Sequence, residues 1–387
     1  MRSSERSTFV VGRFFVHDDS FPLFATAAKG TEGMLRDELR ERRFRGVRAT
    51  RGGVSFEGSL TEALRACLEL RIAQRVLVQL ACFPCESADE LYDGVRAIEW
   101  HAWTSTKHSL SVRAEGRTDA LVHTGFVGQK VKDAICDALR AKFGERPNVD
   151  RDDADMPIFV LLKNGQATVY ADACGEPLFK RGYRTEALDA PLKETLAAAI
   201  VRWSGWRGDG DFVDPMCGSG TLAIEAAMLA KNMAPGLARA RFSVERFAAF
   251  TEHDKDWGKR HRAALRDSVD HAFEPRLLVA DADPEACRIA KANAERVGIR
   301  LLARDAFLDE LALPREGATV VTNPPYGERL GMDASLMRGL RNLMSLDFRS
   351  LHVLAGSEDV LRALATRPTR WLDLANGDLP VRLVSFE

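Results

Sequence analysis

No apolar run in this 387-residue chain approaches the roughly 18–20 residues that a helix needs to cross a bilayer, and the opening residues lead into no signal-peptide core before Asp18 and Asp19. Those absences point to a cytoplasmic protein with no membrane partner. An excess of one charge is also missing. The 55 Lys and Arg against 56 Asp and Glu leave a net charge of −1, so a nucleic-acid partner has to be held by local patches. A disulfide framework is lacking as well: the 7 cysteines are odd in number and scattered, and only Cys82 and Cys85 form a CxxC. With no second pair and no histidines at metal-ligand spacing, that CxxC describes reduced thiols, and no metal is expected. Repeats and low-complexity stretches are absent, and 45% hydrophobic with 29% charged residues excludes disorder and fibrous structure. The length is about two and a half times that of a typical domain of roughly 150 residues, so two or three folded units are expected.

What is present falls into two styles. The first third reads as small α+β units: a strand from Phe24, a helix carrying Leu35 and Leu39, and a strand over 53–57. Apolar positions at helical spacing follow over residues 59–80 (Leu60, Leu64, Cys67, Leu68, Ile72) and again over 90–100, ahead of a strand at 109–114 and a helix at 125–143. Strand-like runs at 158–163 and 167–171 are joined by Asn164-Gly165, a pair suited to a tight hairpin turn. A polar bridge over 178–184 leads to Pro191, which can open a helix, and marks a domain boundary. Beyond it strands (211–214, 277–280, 300–303, 318–322) alternate with helices (220–231, 284–297), the pattern of a parallel sheet covered on both faces. A further strand at 351–355 precedes two runs, 371–375 and 381–386, that flank Asn376-Gly377 and predict an antiparallel hairpin closing the sheet.

Two constellations carry chemistry. In Asp211-Phe-Val-Asp214-Pro-Met216-Cys-Gly218-Ser-Gly220-Thr221 a strand ends in a small-residue loop that runs into a helix, so a ligand can approach backbone N–H groups closely. The loop satisfies a loose dinucleotide pattern, but the next strand-ending acid, Asp281, comes 67 residues after Asp214, where a dinucleotide fold wants about 20. The stretch between them has to be an insertion. In Val320-Val-Thr-Asn323-Pro324-Pro325-Tyr326 two prolines stop a strand and make a rigid corner that presents carbonyls. The Asn323 side-chain oxygen and the Pro324 carbonyl can accept both N–H bonds of a planar exocyclic amine, and Tyr326 can stack on the base that bears it.

Taken together, Asp-Pro-Met-Cys-Gly-Ser-Gly-Thr and Asn-Pro-Pro-Tyr-Gly-Glu-Arg-Leu resemble the class I S-adenosylmethionine-dependent methyltransferases that modify exocyclic amines of DNA, RNA or glutamine. Within that set the chain is most similar to the THUMP-bearing RNA guanine-N2 methyltransferases of large-subunit ribosomal RNA. The segments Phe24-Ala-Thr-Ala-Ala-Lys-Gly30, Gly52-Gly-Val-Ser-Phe-Glu-Gly58, Lys180-Arg181-Gly-Tyr183-Arg184, Ala190-Pro-Leu-Lys-Glu194 and Asn232-Met-Ala-Pro-Gly236 extend the likeness over nearly the whole chain. The resemblance implies an α/β fold: a Rossmann-like methyltransferase domain, mainly parallel with a closing antiparallel hairpin, preceded by α+β ferredoxin-like and THUMP units. The expected divisions are 1–58 (ferredoxin-like part), 59–172 (THUMP, RNA-binding), 173–190 (linker) and 191–387 (methyltransferase). Some relatives carry a second C-terminal methyltransferase domain, whose activity is expected to be absent here. The long segment after the glycine loop is a family feature.

Residue by residue, the resemblance implies S-adenosylmethionine contacts from Thr195, Asp214, Met216, Gly218, Gly220, Thr221, Asp281, Ala282, Asp305 and Ala306, with S-adenosylhomocysteine as product and no metal. Asp214, Gly218 and Gly220 would line the methionine side, Asp281 the ribose, Asp305 the adenine amine, and the Thr195 segment would close over the methionine end. Asp283 is placed to cap the helix opened by Pro284. Asn323, Pro324, Pro325 and Tyr326 form the catalytic corner. RNA contacts are expected from Lys180, Arg181, Tyr183 and Arg184, and from Arg43 and Arg45 within a stretch, 36–51, that holds seven arginines against three acids. Transfer-RNA guanine methylation, DNA adenine methylation and a non-catalytic RNA-binding factor stay open as alternatives.

Overall fold

The structure is a computed structural model and describes residues 12–13, 20–150, 152–184, 186, 192–306, 308, 317–325 and 334–387. Strands β1 (Gly12–Arg13), β2 (Phe21–Thr26), β3 (Arg45–Thr50), β4 (Gly53–Gly58), β5 (Arg75–Pro84), β6 (Leu110–Gly116), β7 (Met156–Lys163) and β8 (Gln166–Asp172) form one sheet in the order β3-β4-β2-β5-β8-β7-β6, with β1 on β5. Along β2 the alternation is strict: Leu23 and Ala25 enter the main core while Phe24 packs with Leu77, Phe159 and Tyr170 in a separate apolar cluster. Helices α1 (Glu32–Glu41), α2 (Leu60–Glu69), α3 (Ala88–Arg96), α4 (Trp100–Trp103) and α5 (Thr124–Phe143) contribute to the main core through Leu35, Leu64, Leu91, Trp103 and Val131, among others. The hairpin expected at Asn164-Gly165 is present, with φ of 53° and 70° at the two residues.

The helical spacing read over residues 59–80 holds only as far as Glu69. Arg75–Pro84 is the central strand β5, paired antiparallel with both β2 and β8. Val76, Leu77 and Val78 are all buried because both faces of the sheet are covered there, so the apolar–polar alternation that marks a half-buried strand is missing. Since β5 joins the strands before residue 58 to those after it, the first two units share a single sheet.

The second sheet comprises β9 (Phe212–Asp214), β10 (Leu277–Asp281), β11 (Leu302–Asp305), β12 (Thr319–Thr322), β13 (Ser350–Ala355), β14 (Arg370–Asn376) and β15 (Leu379–Phe386), in the order β11-β10-β9-β12-β13-β15-β14. The first five are parallel and β15 is antiparallel to both its neighbours, as the α/β fold with a closing hairpin requires. Helices α6 (Glu194–Ser204), α7 (Thr221–Ala230), α9 (Pro284–Glu295), α10 (Ala334–Leu343) and α11 (Glu358–Leu364) accompany it, while α8 (Glu252–Asp267) packs against α2, and two apolar clusters sandwich the strands. From β9 the chain steps outward to β10 and β11, then returns to β12 on the other side of β9. That reversal opens a crevice between the ends of β9 and β12, where open α/β sheets bind ligands.

The 67-residue spacing between Asp214 and Asp281 is explained by an excursion that leaves this sheet and clasps the N-terminal units. Phe242, Val244, Phe247 and Phe250 are buried in the core of the first sheet. Gly236 N–H donates to the Leu68 carbonyl at 2.9 Å, Val244 N–H to Ala173 at 3.0 Å and Ala248 N–H to Trp103 at 2.9 Å. On α8, His261 Nε2 lies 2.8 Å from Oε1 of Glu69, a carboxylate that Arg42 and Arg65 also pair with. Gly236 is needed for space: a Cβ there would sit 2.7 Å from both the Cys67 carbonyl oxygen and the Leu68 Cα. Gly236→Ala is therefore expected to destabilise the whole chain by about 1–3 kcal/mol, as overpacking of rigid backbone does. Calorimetric melting checks this, and an unchanged transition would contradict the clasp.

Candidate active site at the reversal of strand order

β9 delivers Asp214 to the crevice almost fully buried, at 1% exposure. Its Oδ1 accepts the Met216 N–H at 3.3 Å, and among the described residues no Lys or Arg pairs with it. Burial dominates and lifts its pKa to about 8, with the Met216 bond opposing and the nearby Asp281 charge adding. The loop that follows folds back over β10. Cys217 N–H donates to the Ala280 carbonyl at 2.8 Å and Gly218 N–H to Asp281 Oδ2 at 2.9 Å. Gly220, at φ 82°, turns the chain into α7 where a Cβ would press within 2.9 Å of Ala290 on α9.

Asp281 ends β10 half-exposed and level with Asp305, its register partner on β11. Its Oδ1 accepts the Asp283 N–H at 3.1 Å, and its own carbonyl accepts the Ala306 N–H at 3.0 Å. Asp283 caps α9 by accepting the Glu285 N–H at 2.9 Å, with Pro284 in the first turn. Ala282 and Asp305 are exposed, and Asp305 borders an open cavity of about 360 Å³ with Pro284, Cys287 and Lys291. A string of acceptors and backbone donors thus runs along the ends of β9, β10 and β11, a set that could hold an extended, partly cationic ligand.

Across the crevice, β12 pairs with β9 (Thr319 with Phe212, Val320 with Val213), which carries Asn323 just past the level of Asp214. Asn323 Oδ1 is buried without a partner, while the buried Thr322 hydroxyl faces the Asp214 carboxyl and opposes the rise in its pKa. Pro324 is buried and Pro325 half-buried. Tyr326 lies outside the described residues. Thr195, in the first turn of α6, is buried with its hydroxyl unpartnered, and α6 packs against both α7 and β12.

The linker residues expected to touch RNA are placed differently. Arg181 and Tyr183 are 2% and 1% exposed. Arg181 Nε and Tyr183 OH each donate to Glu225 Oε1 at 3.3 Å, while Arg181 Nη1 donates to Leu178 O at 2.9 Å. Neither can reach a phosphate, because both are consumed in the interface between the two sheets. Arg184 turns inward to Thr221, and of the four only Lys180 is exposed, paired with Glu176. Arg43 and Arg45 are exposed at the edge of the first sheet, next to Arg40, Arg48 and Arg51.

Sequence reasoning passed over three side chains that build the site. Glu225 anchors the linker, Arg71 donates to the Met228 carbonyl from the N-terminal side at 3.1 Å, and Asn293 Nδ2 holds the Ser219 carbonyl of the glycine loop at 3.2 Å. Glu225 and Asn293 sit inside helices and Arg71 in the bend between α2 and β5, positions that give no local signal of such a role. Among the described residues no helix is long and apolar enough to cross a membrane, and no group of three or more His, Cys, Asp or Glu could hold a metal ion.

The buried Asp214 carboxyl is electrostatically costly. An acid whose pKa is raised from about 4 unfolded to about 8 folded binds its proton more tightly when folded, so it lowers stability progressively as pH rises between those values. Asp214→Asn is therefore expected to melt higher than the unliganded parent at pH 8, by on the order of 2–5 kcal/mol, with the difference closing near pH 4. Equal melting at pH 8 would contradict the buried, uncompensated carboxyl.

Comparison with known proteins agrees with this geometry. Residues 181–384 match the family profile of the RMKL-like methyltransferase domain, residues 22–77 an RlmL ferredoxin-like domain and residues 85–172 a THUMP domain. A protein of Syntrophotalea carbinolica named ribosomal RNA large subunit methyltransferase K/L is 38% identical over 96% of this chain, and the chain spans 54% of that relative's length. Among solved structures, SMU.472, assigned as a methyltransferase and complexed with SAH, superposes with a TM-score of 0.83 at 30% identity, covering 95% of this chain and 98% of its own. A Listeria monocytogenes protein described as a predicted N6-adenine-specific DNA methylase gives a TM-score of 0.84 at 28% identity, covering 95% and 96%. Fold, site and sequence together place the chain in the RMKL-like methyltransferase domain family, behind an RlmL-type ferredoxin-like domain and a THUMP domain.

Proposed function

We propose that the protein transfers a methyl group from S-adenosylmethionine to the N2 amine of a guanosine in large-subunit ribosomal RNA. The observation that carries this reading is the pairing, across one crevice, of a buried carboxyl without a cation and a buried amide oxygen without a donor. Asp214 calls for a cationic ligand group and Asn323 for an N–H donor. S-adenosylmethionine, when bound, supplies an electrophilic methyl on a sulfonium together with a cationic amino group. Asp214, Met216, Gly218, Gly220, Thr221 and Thr195 would hold its methionine end, Asp281 and Ala282 the ribose, and Asp305 and Ala306 the adenine.

The guanine amine is a poor nucleophile because its lone pair is delocalised into the ring. Asn323 Oδ1 and the Pro324 carbonyl accept its two N–H bonds, point the nitrogen toward the methyl and stabilise the positive charge that develops there. Pro325 keeps the corner rigid and Tyr326 stacks on the base. Burial of the corner excludes water, and the proton departs after transfer, so no general base is invoked. The THUMP unit and the exposed arginine edge at Arg40, Arg43, Arg45, Arg48 and Arg51 favour an RNA over a DNA substrate. The name of the Syntrophotalea relative favours ribosomal RNA over transfer RNA.

Incubation with methyl-labelled S-adenosylmethionine and unmodified ribosomal RNA, transfer RNA or DNA, followed by nucleoside digestion, tests the substrate. The expected product is N2-methylguanosine in large-subunit RNA, and label only in transfer RNA or on DNA adenine would overturn it. Asn323→Ala is expected to lower turnover by about 100-fold while changing cofactor affinity by less than about threefold. Turnover at the parent rate would remove Asn323 from the mechanism.

A further inference from the structure

Arg184 was expected to face RNA, yet its guanidinium is turned inside the protein, with Nη2 bonded and Nε buried without a partner. Nη2 donates to Thr221 Oγ1 at 2.7 Å and to the Leu192 carbonyl at 2.8 Å, and lies 3.5 Å from Glu194 Oε1. Thr221 is the first residue of α7, directly after Gly220 of the glycine loop, and Glu194 is the first residue of α6. One guanidinium therefore ties together the starts of the two helices that frame the crevice. Helix stability gives no reason for a cation there, because both helices present their positive dipole ends. Glu194 offsets that charge from the start of α6, and its own pKa is pushed up to about 7 by burial, with Arg184 opposing.

The rest of the linker follows the same surface. Arg181 and Tyr183 both end on Glu225, one helical turn beyond Thr221 and on the same face of α7. From the other flank Asn293 of α9 holds the Ser219 carbonyl. The glycine loop is thus bonded both by α9 and by the linker, and Asn293 joins those two as well by donating to the Glu186 carbonyl at 3.3 Å.

We propose that Arg184 is a positioning residue for methyl transfer: through Thr221 and Leu192 it sets the glycine loop against the start of α6, so that the methionine end of the cofactor is held between them. The inference rests on the cofactor reading made above. Its test compares two ligands by calorimetry on the full chain: S-adenosylhomocysteine, and 5′-methylthioadenosine, which lacks the amino-acid end.

Arg184→Ala is expected to weaken S-adenosylhomocysteine about tenfold and methylthioadenosine less than about twofold, the loss of a charge-assisted anchor being felt only where it acts. Arg184→Lys, which keeps the charge and N–H donors but loses the planar fork, should recover part of the loss and guards against failure of the alanine variant to fold. In a Thr221→Val background, Arg184→Ala should cost less than it does alone, since one of the bonds it breaks is already gone while the Leu192 bond remains to be lost. Ribosomal RNA affinity and its salt dependence should be unchanged. Equal weakening of both ligands would mean a general structural role, and a drop in RNA affinity with a shallower salt slope would mean a phosphate contact; either overturns the inference. Failure of the parent protein to bind S-adenosylhomocysteine at all would instead overturn the proposed function.

Discussion

The site is organised around one unfavourable placement, a carboxyl buried at the point where strand order reverses. Asp214 is there because β9 is the central strand of a covered parallel sheet, and its end has nowhere to go but the crevice. Only one backbone N–H reaches it, at 3.3 Å from Met216. Its neighbours make the placement tolerable without neutralising it: the glycine loop bends away to bond Asp281, and β12 brings the Thr322 hydroxyl up to the carboxyl and Asn323 alongside with an unpartnered amide oxygen. Buried polar atoms gathered in one crevice are groups that a polar ligand could satisfy.

The surroundings hold that crevice rigid by joining the two sheets. The excursion over residues 231–276 inserts four aromatic or aliphatic side chains into the N-terminal core, while Arg71 and Arg181 reach into the catalytic half. Glu225 receives Arg181 and Tyr183 with its carboxylate fully buried. Such an interior charge network contributes little net stability, but removing one member strands the others, so it fixes one arrangement of linker and helix. Because that helix begins at the glycine loop, the position of the N-terminal units and the shape of the cofactor site are set by the same side chains.

Much of this was legible in the sequence for local reasons. Asn164-Gly165 and Asn376-Gly377 each signal a turn that the chain makes, Asp283-Pro284 a helix start, and the two small-residue and proline motifs a loop and a corner at strand ends. What escaped reading depended on partners far along the chain. β5 looked helical because its neighbours on both faces are apolar, and nothing local announces that coverage. Arg181 and Tyr183 have the composition of an RNA-binding segment, and partners far along the chain draw them inside: Glu225, 44 and 42 residues away, for both, and the Arg71 carbonyl for Arg181. Arg184 shows the same effect at the cofactor loop.

The claim on which the account turns is that Asp214 awaits a cationic ligand. Calorimetry of S-adenosylhomocysteine binding at pH 7, repeated in buffers of different ionisation enthalpy, measures it directly. With burial lifting the Asp214 pKa to about 8, most molecules carry the proton at pH 7, so binding of a cationic ligand group is expected to release on the order of one proton per ligand. Binding with no proton released would contradict it.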